Sequence, residues 1–169
     1  GEQLEADQVM LAIGRVPNVA NIGIEAVGIA QRDTGAIIVN DYFRTNVSNI
    51  YAIGDVTDRI QRTHVAIGEA MVLSANLYNG KDLSMDYADI PTAVFSNPNI
   101  GTVGLTEEAA RERYDAIDVY RETFRPLKHT MTLNDDRTMM KIIVDRASDR
   151  VIGCHMALSL IHISAPTRP

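Results

Sequence analysis

Residues 45–56, TNVSNIYAIGDV, carry a run of Ile50, Tyr51, Ala52 and Ile53 that halts at Gly54 and then presents the carboxylate of Asp55. β-Branched and aromatic residues bounded by polar turn residues favour extended chain, so the run reads as a short apolar strand. In open α/β sheets, ligands sit beyond the carboxyl ends of strands. A glycine there lets a ligand approach the backbone, and a carboxylate accepts bonds from sugar-type hydroxyls. Taken alone, a Gly-Asp pair fits an ordinary turn better than a ligand site.

Downstream, Val65, Ala66, Ala70, Leu73 and Leu77 recur at helical spacing, which predicts a helix over 65–77 that stops before Asn79-Gly80. Thr63 is placed to cap it, and the positive helix start would face an anionic or electron-rich group. Upstream, Gln8 to Ile13 reads as a strand, Gly14 and Pro17 open a loop with a helical turn, and Gly28 to Val39 reads as a turn followed by extended chain. Residues 42–49 then connect to the opening run.

The texture changes after KDLSMDYAD. Pro91 opens TAVFSNPNIGTVGLT, two β-rich runs around Asn97-Pro98-Asn99 that predict a hairpin and a second domain starting near Ile90. Thr106-Glu107-Glu108 begins a helix to about Tyr114, with acidic residues where the dipole favours them. Val119 to Phe124, Met139 to Asp145 and Val151 to Met156 are strand candidates, the last two joined by the polar loop RASDR. A small antiparallel sheet follows from that pattern.

The chain has 169 residues, 46% hydrophobic and 22% charged, enough to bury a core. Its 16 Lys and Arg against 22 Asp and Glu give a net charge of -6, and no basic run could follow a phosphate backbone, which argues against nucleic acid as a partner. No apolar run approaches the ~20 residues that span a bilayer, and the first ten residues lack a signal-peptide pattern, so a cytoplasmic protein is expected. The single cysteine, Cys154, forms no internal disulfide and belongs to no metal-type cluster.

The full stretch Thr45-x5-Tyr51-Ala52-x-Gly54-Asp55 resembles the second flavin-binding motif of the pyridine nucleotide-disulfide oxidoreductases. Ala12-Ile13-Gly14-Arg15-x-Pro17-Asn18 resembles the segment where that family's chain returns from the NAD(P)H domain to the FAD domain. Pro91 to Pro98 and Ile100 to Glu107 resemble the start of its dimerisation domain, in the form seen in glutathione-disulfide reductases. The resemblance runs from residue 1 to about residue 157.

It implies an α/β plus α+β architecture, a partial FAD/NAD(P)-binding domain followed by a truncated antiparallel-sheet dimerisation domain. Residues 1–16 would end the NAD(P)H-binding domain, 17–89 would be the C-terminal segment of the FAD-binding domain, and 90–157 the dimerisation domain. The implied enzyme is a homodimer that uses FAD and NADPH to reduce glutathione disulfide. Asp55 would bind the flavin ribitol and Gly54 would allow the close approach. The backbone from Thr63 through His64 to Val65 would face the isoalloxazine ring, where a positive helix end stabilises the charge that reduction brings.

Other parts of that machinery do not occur in these 169 residues: no G-x-G-x-x-G, no C-x4-C dithiol, and no H-P-T segment with its acid/base histidine. The chain alone is therefore expected to be inactive. His129, His155 and His162 are not followed by Pro-Thr, and no catalytic role is assigned to them. His155 reads as a satisfied sheet histidine and Cys154 as a small buried hydrophobe. Where glutathione reductases usually show Leu-Thr-Pro-Val-Ala, this chain has Arg62-Thr63-His64-Val65-Ala66. The His-x-Ala is more like the dihydrolipoamide dehydrogenases, which stand as the alternative enzyme. A non-catalytic dimerisation module built on residues 90–157 is the alternative of a different class. The last residues, SLIHISAPTRP, resemble translated sequencing-adapter DNA, so 158–169 are set aside as a non-native tail.

Overall fold

In the computed structural model, which describes residues 3–131 and 135–158, the chain divides between Asp86 and Tyr87 into two compact units. The tail from residue 159 onward, with His162, lies outside the described residues.

The first unit is built on irregular chain and one long helix, α1, Thr63–Tyr78, preceded by 3-10 turns at Glu25–Val27 and Gly54–Thr57. Ile24, Ile37 and Ala52 form its buried centre, with Val19, Ile29, Val39 and Val56 packed around them. Burying such a cluster contributes roughly 25 cal/mol for each Å² of apolar surface withdrawn from water. Phe43 is fully buried, and the Arg59 guanidinium lies 5.9 Å from its ring centre while donating to the carbonyls of Val39 and Asn40. The side-chain amide of Asn46 ties another stretch down, donating to Gly28 O and accepting from Ala30 N, both at 2.8 Å.

Two expected strands are corrected here. The runs at 8–13 and 50–53 are not strands, and the extended run within 28–39 forms only a single bridge; among the described residues of this unit, ladder pairing is confined to Gln31↔Ile37 and Arg44↔Tyr51. A strand exists only where a second edge exchanges backbone bonds with it, whatever its side chains prefer. Among the described residues no edge pairs with 8–13, and Val9, Met10, Leu11 and Ile13 stay exposed.

The predicted helix is present and longer by a few residues, but Thr63 does not cap it. Arg62 holds the extended cap position with no side-chain bond, and Thr63 is already the first helical residue. The buried residues of α1 are Val65 and Glu69, one turn apart.

The second unit is a five-stranded antiparallel sheet in the order β1-β2-β5-β4-β3. The strands are β1, Thr92–Val94; β2, Asn99–Gly104; β3, Ile117–Phe124; β4, Thr138–Asp145; and β5, Arg150–Leu158. The Asn97-Pro98-Asn99 hairpin and the RASDR connection both appear as expected, because each joins strands that are neighbours in sequence and in space. Gly104 has φ +77, and a Cβ there would collide with the Ile152 carbonyl, so β2 can turn away from β5 only with glycine at that point.

Helix α2, Glu107–Arg113, is capped by Thr106, whose hydroxyl accepts from Ala109 N at 3.2 Å, and Ala110 is fully buried. Glu107 accepts from Arg111 at 2.8 Å and from Lys141 of β4 at 3.4 Å, tying the helix start to the sheet. Cross-strand register puts Tyr120, Ile142, Cys154 and Val103 in one row on one face. Ile142 is 40% exposed there, whereas its neighbour Ile143, on the other face, is 0% exposed. No described helix is long and apolar enough to cross a membrane.

Candidate functional site

The site grows from the 3-10 turn Gly54–Thr57. Gly54 adopts φ +73, a region that costs an L side chain roughly 1–2 kcal/mol. A Cβ at this position would also come within 3.2 Å of Ala66 Cβ on α1. Thr57, 2% exposed, turns its hydroxyl back to donate to Gly54 O at 2.9 Å. Gly54 N donates to the Glu69 carboxylate of α1 at 2.5 Å, and Val56 O accepts from Ile37 N at 2.9 Å. The residues on both sides of Asp55 are thus fastened, and its own carbonyl accepts from Asp58 N.

The Asp55 side chain, by contrast, is exposed, and its carboxylate has no hydrogen-bond or ion-pair partner among the described residues. It lines a small cleft of about 160 Å³ with Arg15, Val16, Pro17, Asn18, Val56 and Gln61. Two motifs that the sequence singles out separately, Arg15-x-Pro17-Asn18 and Gly54-Asp55, therefore share one cleft. The guanidinium and the amide can donate to an anionic or polyhydroxylated ligand, and the carboxylate can accept from its hydroxyls.

Thr63, His64 and Val65 do not line that cleft. Thr63 and His64 are exposed in the first turn of α1, while the Val65 side chain is fully buried, so a ligand could meet Val65 only through its backbone. Sequence reasoning missed Glu69, which is 1% exposed. Its signal was the four-residue spacing from Val65, which puts it on the helix's inner face.

His155 and His129 behave as structural groups. His155 Nε2 donates to Leu105 O at 2.9 Å, since a carbonyl only accepts, and Nδ1 lies 2.5 Å from the Thr102 hydroxyl. Its neighbour Cys154 is half-buried in the sheet. His129 is buried and donates from Nδ1 to Asp136 O at 3.2 Å. Among the described residues no group of three His, Cys, Asp or Glu could hold a metal ion.

The first unit thus brings a Gly-Asp turn and an Arg-x-Pro-Asn segment to one cleft, and the second unit is a five-stranded antiparallel sheet. Residues 1–70 match the family model of the pyridine nucleotide-disulphide oxidoreductases, and residues 90–159 match the model of their dimerisation domain. The chain belongs to that family. It is 40% identical over 156 residues to a glutathione reductase from Burkholderia cepacia, covering 92% of this chain and 35% of that protein. It is 45% identical over 148 residues to the chloroplastic/mitochondrial glutathione reductase of Pisum sativum, covering 88% of this chain and 27% of that one. Among solved structures, the HOCl-induced flavoprotein disulfide reductase RclA from Escherichia coli aligns with a TM-score of 0.78 at 33% identity, over 86% of this chain and 34% of that chain. The chain thus spans about a third of the length of the relatives it matches.

Proposed function

We propose that this chain supplies the ribitol-binding wall and the dimerisation sheet of an FAD-dependent, NADPH-using enzyme that reduces glutathione disulfide. The observation that carries the reading is the Asp55 carboxylate, clamped through its neighbours, free of protein partners and facing a cleft shared with Arg15 and Asn18. That donor and acceptor set fits a sugar-alcohol chain. What FAD contributes when bound is the relay of electrons from NADPH to a disulfide.

Within this chain, Asp55 accepts from the ribitol hydroxyls and Gly54 keeps the backbone free of a side chain at the approach. The first-turn amides of α1, from Thr63 through His64 to Val65, point the positive helix end toward the ring. Homodimer formation is supported by the dimerisation-domain match over residues 90–159. A cytoplasmic setting, where glutathione keeps thiols reduced, belongs to the same reading. Because no C-x4-C dithiol, G-x-G-x-x-G turn or H-P-T histidine occurs in these 169 residues, this reading has the chain alone turning over no glutathione disulfide.

The test is a titration with FAD, read by flavin fluorescence and visible absorption. A saturable change that Asp55→Ala weakens at least about fivefold is expected, as for a lost charge-assisted bond. A response identical in the parent and Asp55→Ala, or no response at all, overturns the reading.

A further inference from the structure

Glu69 stands out as a carboxylate that is 1% exposed in the middle of α1. Acidic groups are buried in this way only when something binds them, and here one partner is the amide of Gly54, fifteen residues earlier, at 2.5 Å. That amide belongs to the residue directly before Asp55. Gly54 is the least restrained residue type, and at φ +73 it would otherwise be free to swing the following peptide. Ala66, one turn before Glu69 on the same helix, has its Cβ 3.2 Å from where a Gly54 Cβ would lie, so α1 holds Gly54 by shape and by a hydrogen bond together.

We infer that Glu69 is a positioning residue of the flavin site: by accepting the Gly54 amide it couples α1 to the Gly54–Thr57 turn and fixes the direction in which Asp55 presents its carboxylate. The inference rests on the flavin reading for the ligand, but not for the mechanical coupling. Glu69 touches no ligand in this scheme. It acts through Gly54, and any acceptor of similar reach at position 69 does the same work. Glutamine keeps such an acceptor and leucine does not.

The experiment uses the whole chain and two readouts, amide hydrogen exchange at Gly54 by NMR and FAD affinity by flavin fluorescence. In the parent the Gly54 amide is protected. In Glu69→Leu its exchange speeds up, the Asp55 Hα–Hβ couplings average, and FAD affinity falls about tenfold, as expected for one lost hydrogen bond. Glu69→Gln restores all three to within about twofold of the parent, because its side-chain carbonyl still accepts.

A freely exchanging Gly54 amide in the parent overturns the inference without any variant, which covers the case of Glu69→Leu failing to fold. A glutamine variant as impaired as the leucine variant also overturns it. So does a leucine variant that loosens Gly54 yet binds FAD like the parent. If the parent shows no flavin response while Gly54 is protected and responds to position 69 as stated, the flavin reading falls and the coupling stands.

Discussion

Thr102 on β2 and His155 on β5 sit directly opposite each other, and the threonine hydroxyl reaches the histidine Nδ1 at 2.5 Å while Nε2 is held by Leu105 O. In the neutral ring Nε2 carries the hydrogen and Nδ1 accepts from the hydroxyl, so both nitrogens are satisfied. Thr102→Val keeps the shape and removes the donor. It should cost about 1 kcal/mol in chemical denaturation of the second unit, the penalty for a half-buried acceptor left unmade. His155→Leu removes the partner as well, and the double variant should be less destabilised than the sum of the singles.

That pair was half legible in the sequence. VIGCHM announces a strand, and a histidine inside it reads as a satisfied group, but nothing in the local pattern says that Thr102, more than fifty residues earlier, is its partner. The sheet itself was readable because each hairpin joins neighbouring segments, so local turn chemistry at Asn97-Pro98-Asn99 and at 146–149 determines the pairing. In the first unit the reasoning failed for a physical cause. Side-chain pattern reports a preference for extended chain, whereas a strand is a property of two edges. At Ile50 to Ile53 the single bridge Arg44↔Tyr51 is all the pairing that forms. Asp55 could be singled out because a glycine and a carboxylate end an apolar run. Glu69 carries only its four-residue spacing from Val65, a weak signal against the rule that an acidic residue in mid-helix ordinarily faces water.

Acid should weaken the second unit in a defined window. Bonds from Arg111 and Lys141 hold the Glu107 carboxyl below its ordinary range, and a bidentate bond from Arg146 does the same to Asp118. At Asp145 the Ser148 hydroxyl is the main cause, with the amides of Ala147 and Ser148 adding to it. A carboxyl lowered on folding contributes stability above its unfolded value and loses it as pH falls through the folded value. Denaturation midpoints should therefore be flat above about pH 5 and decline below about pH 4. Asp145→Asn should flatten part of that decline with little dependence on salt, because hydrogen bonds are the main cause and the nearby Arg150 charge only a lesser one. Added salt should chiefly reduce the share carried by Glu107 and Asp118, whose partners are charged side chains.

Adjacent isoleucines on β4 should separate packing from association. Ile143 is wholly buried, so Ile143→Ala should destabilise by about 3 kcal/mol through lost burial and the cavity left behind. Ile142 is 40% exposed in a row with Tyr120 and Cys154, and its truncation should cost under about 1 kcal/mol. A charge is the sharper probe on that side. If this face carries self-association, Ile142→Glu should shift the chain toward monomer in light scattering while leaving its denaturation midpoint nearly unchanged. An unchanged mass would remove this face from any self-association of the chain.

Gly54→Ala tests the geometry of the Gly-Asp turn without touching a charge. The new methyl would need a left-handed backbone and would lie within 3.2 Å of Ala66 Cβ, tighter than ordinary van der Waals contact. Backbone strain alone amounts to roughly 1–2 kcal/mol, and the crowding against α1 adds to it. The turn can relieve both only by rotating Gly54 out of its present conformation, which breaks the bond to Glu69 and re-aims Asp55. Gly54→Ala should therefore lower thermal stability and weaken flavin binding together. Gly54→Ala combined with Ala66→Gly, which reopens the space on α1, should recover part of the stability. The backbone penalty persists in the double variant, so flavin binding should remain below that of the parent.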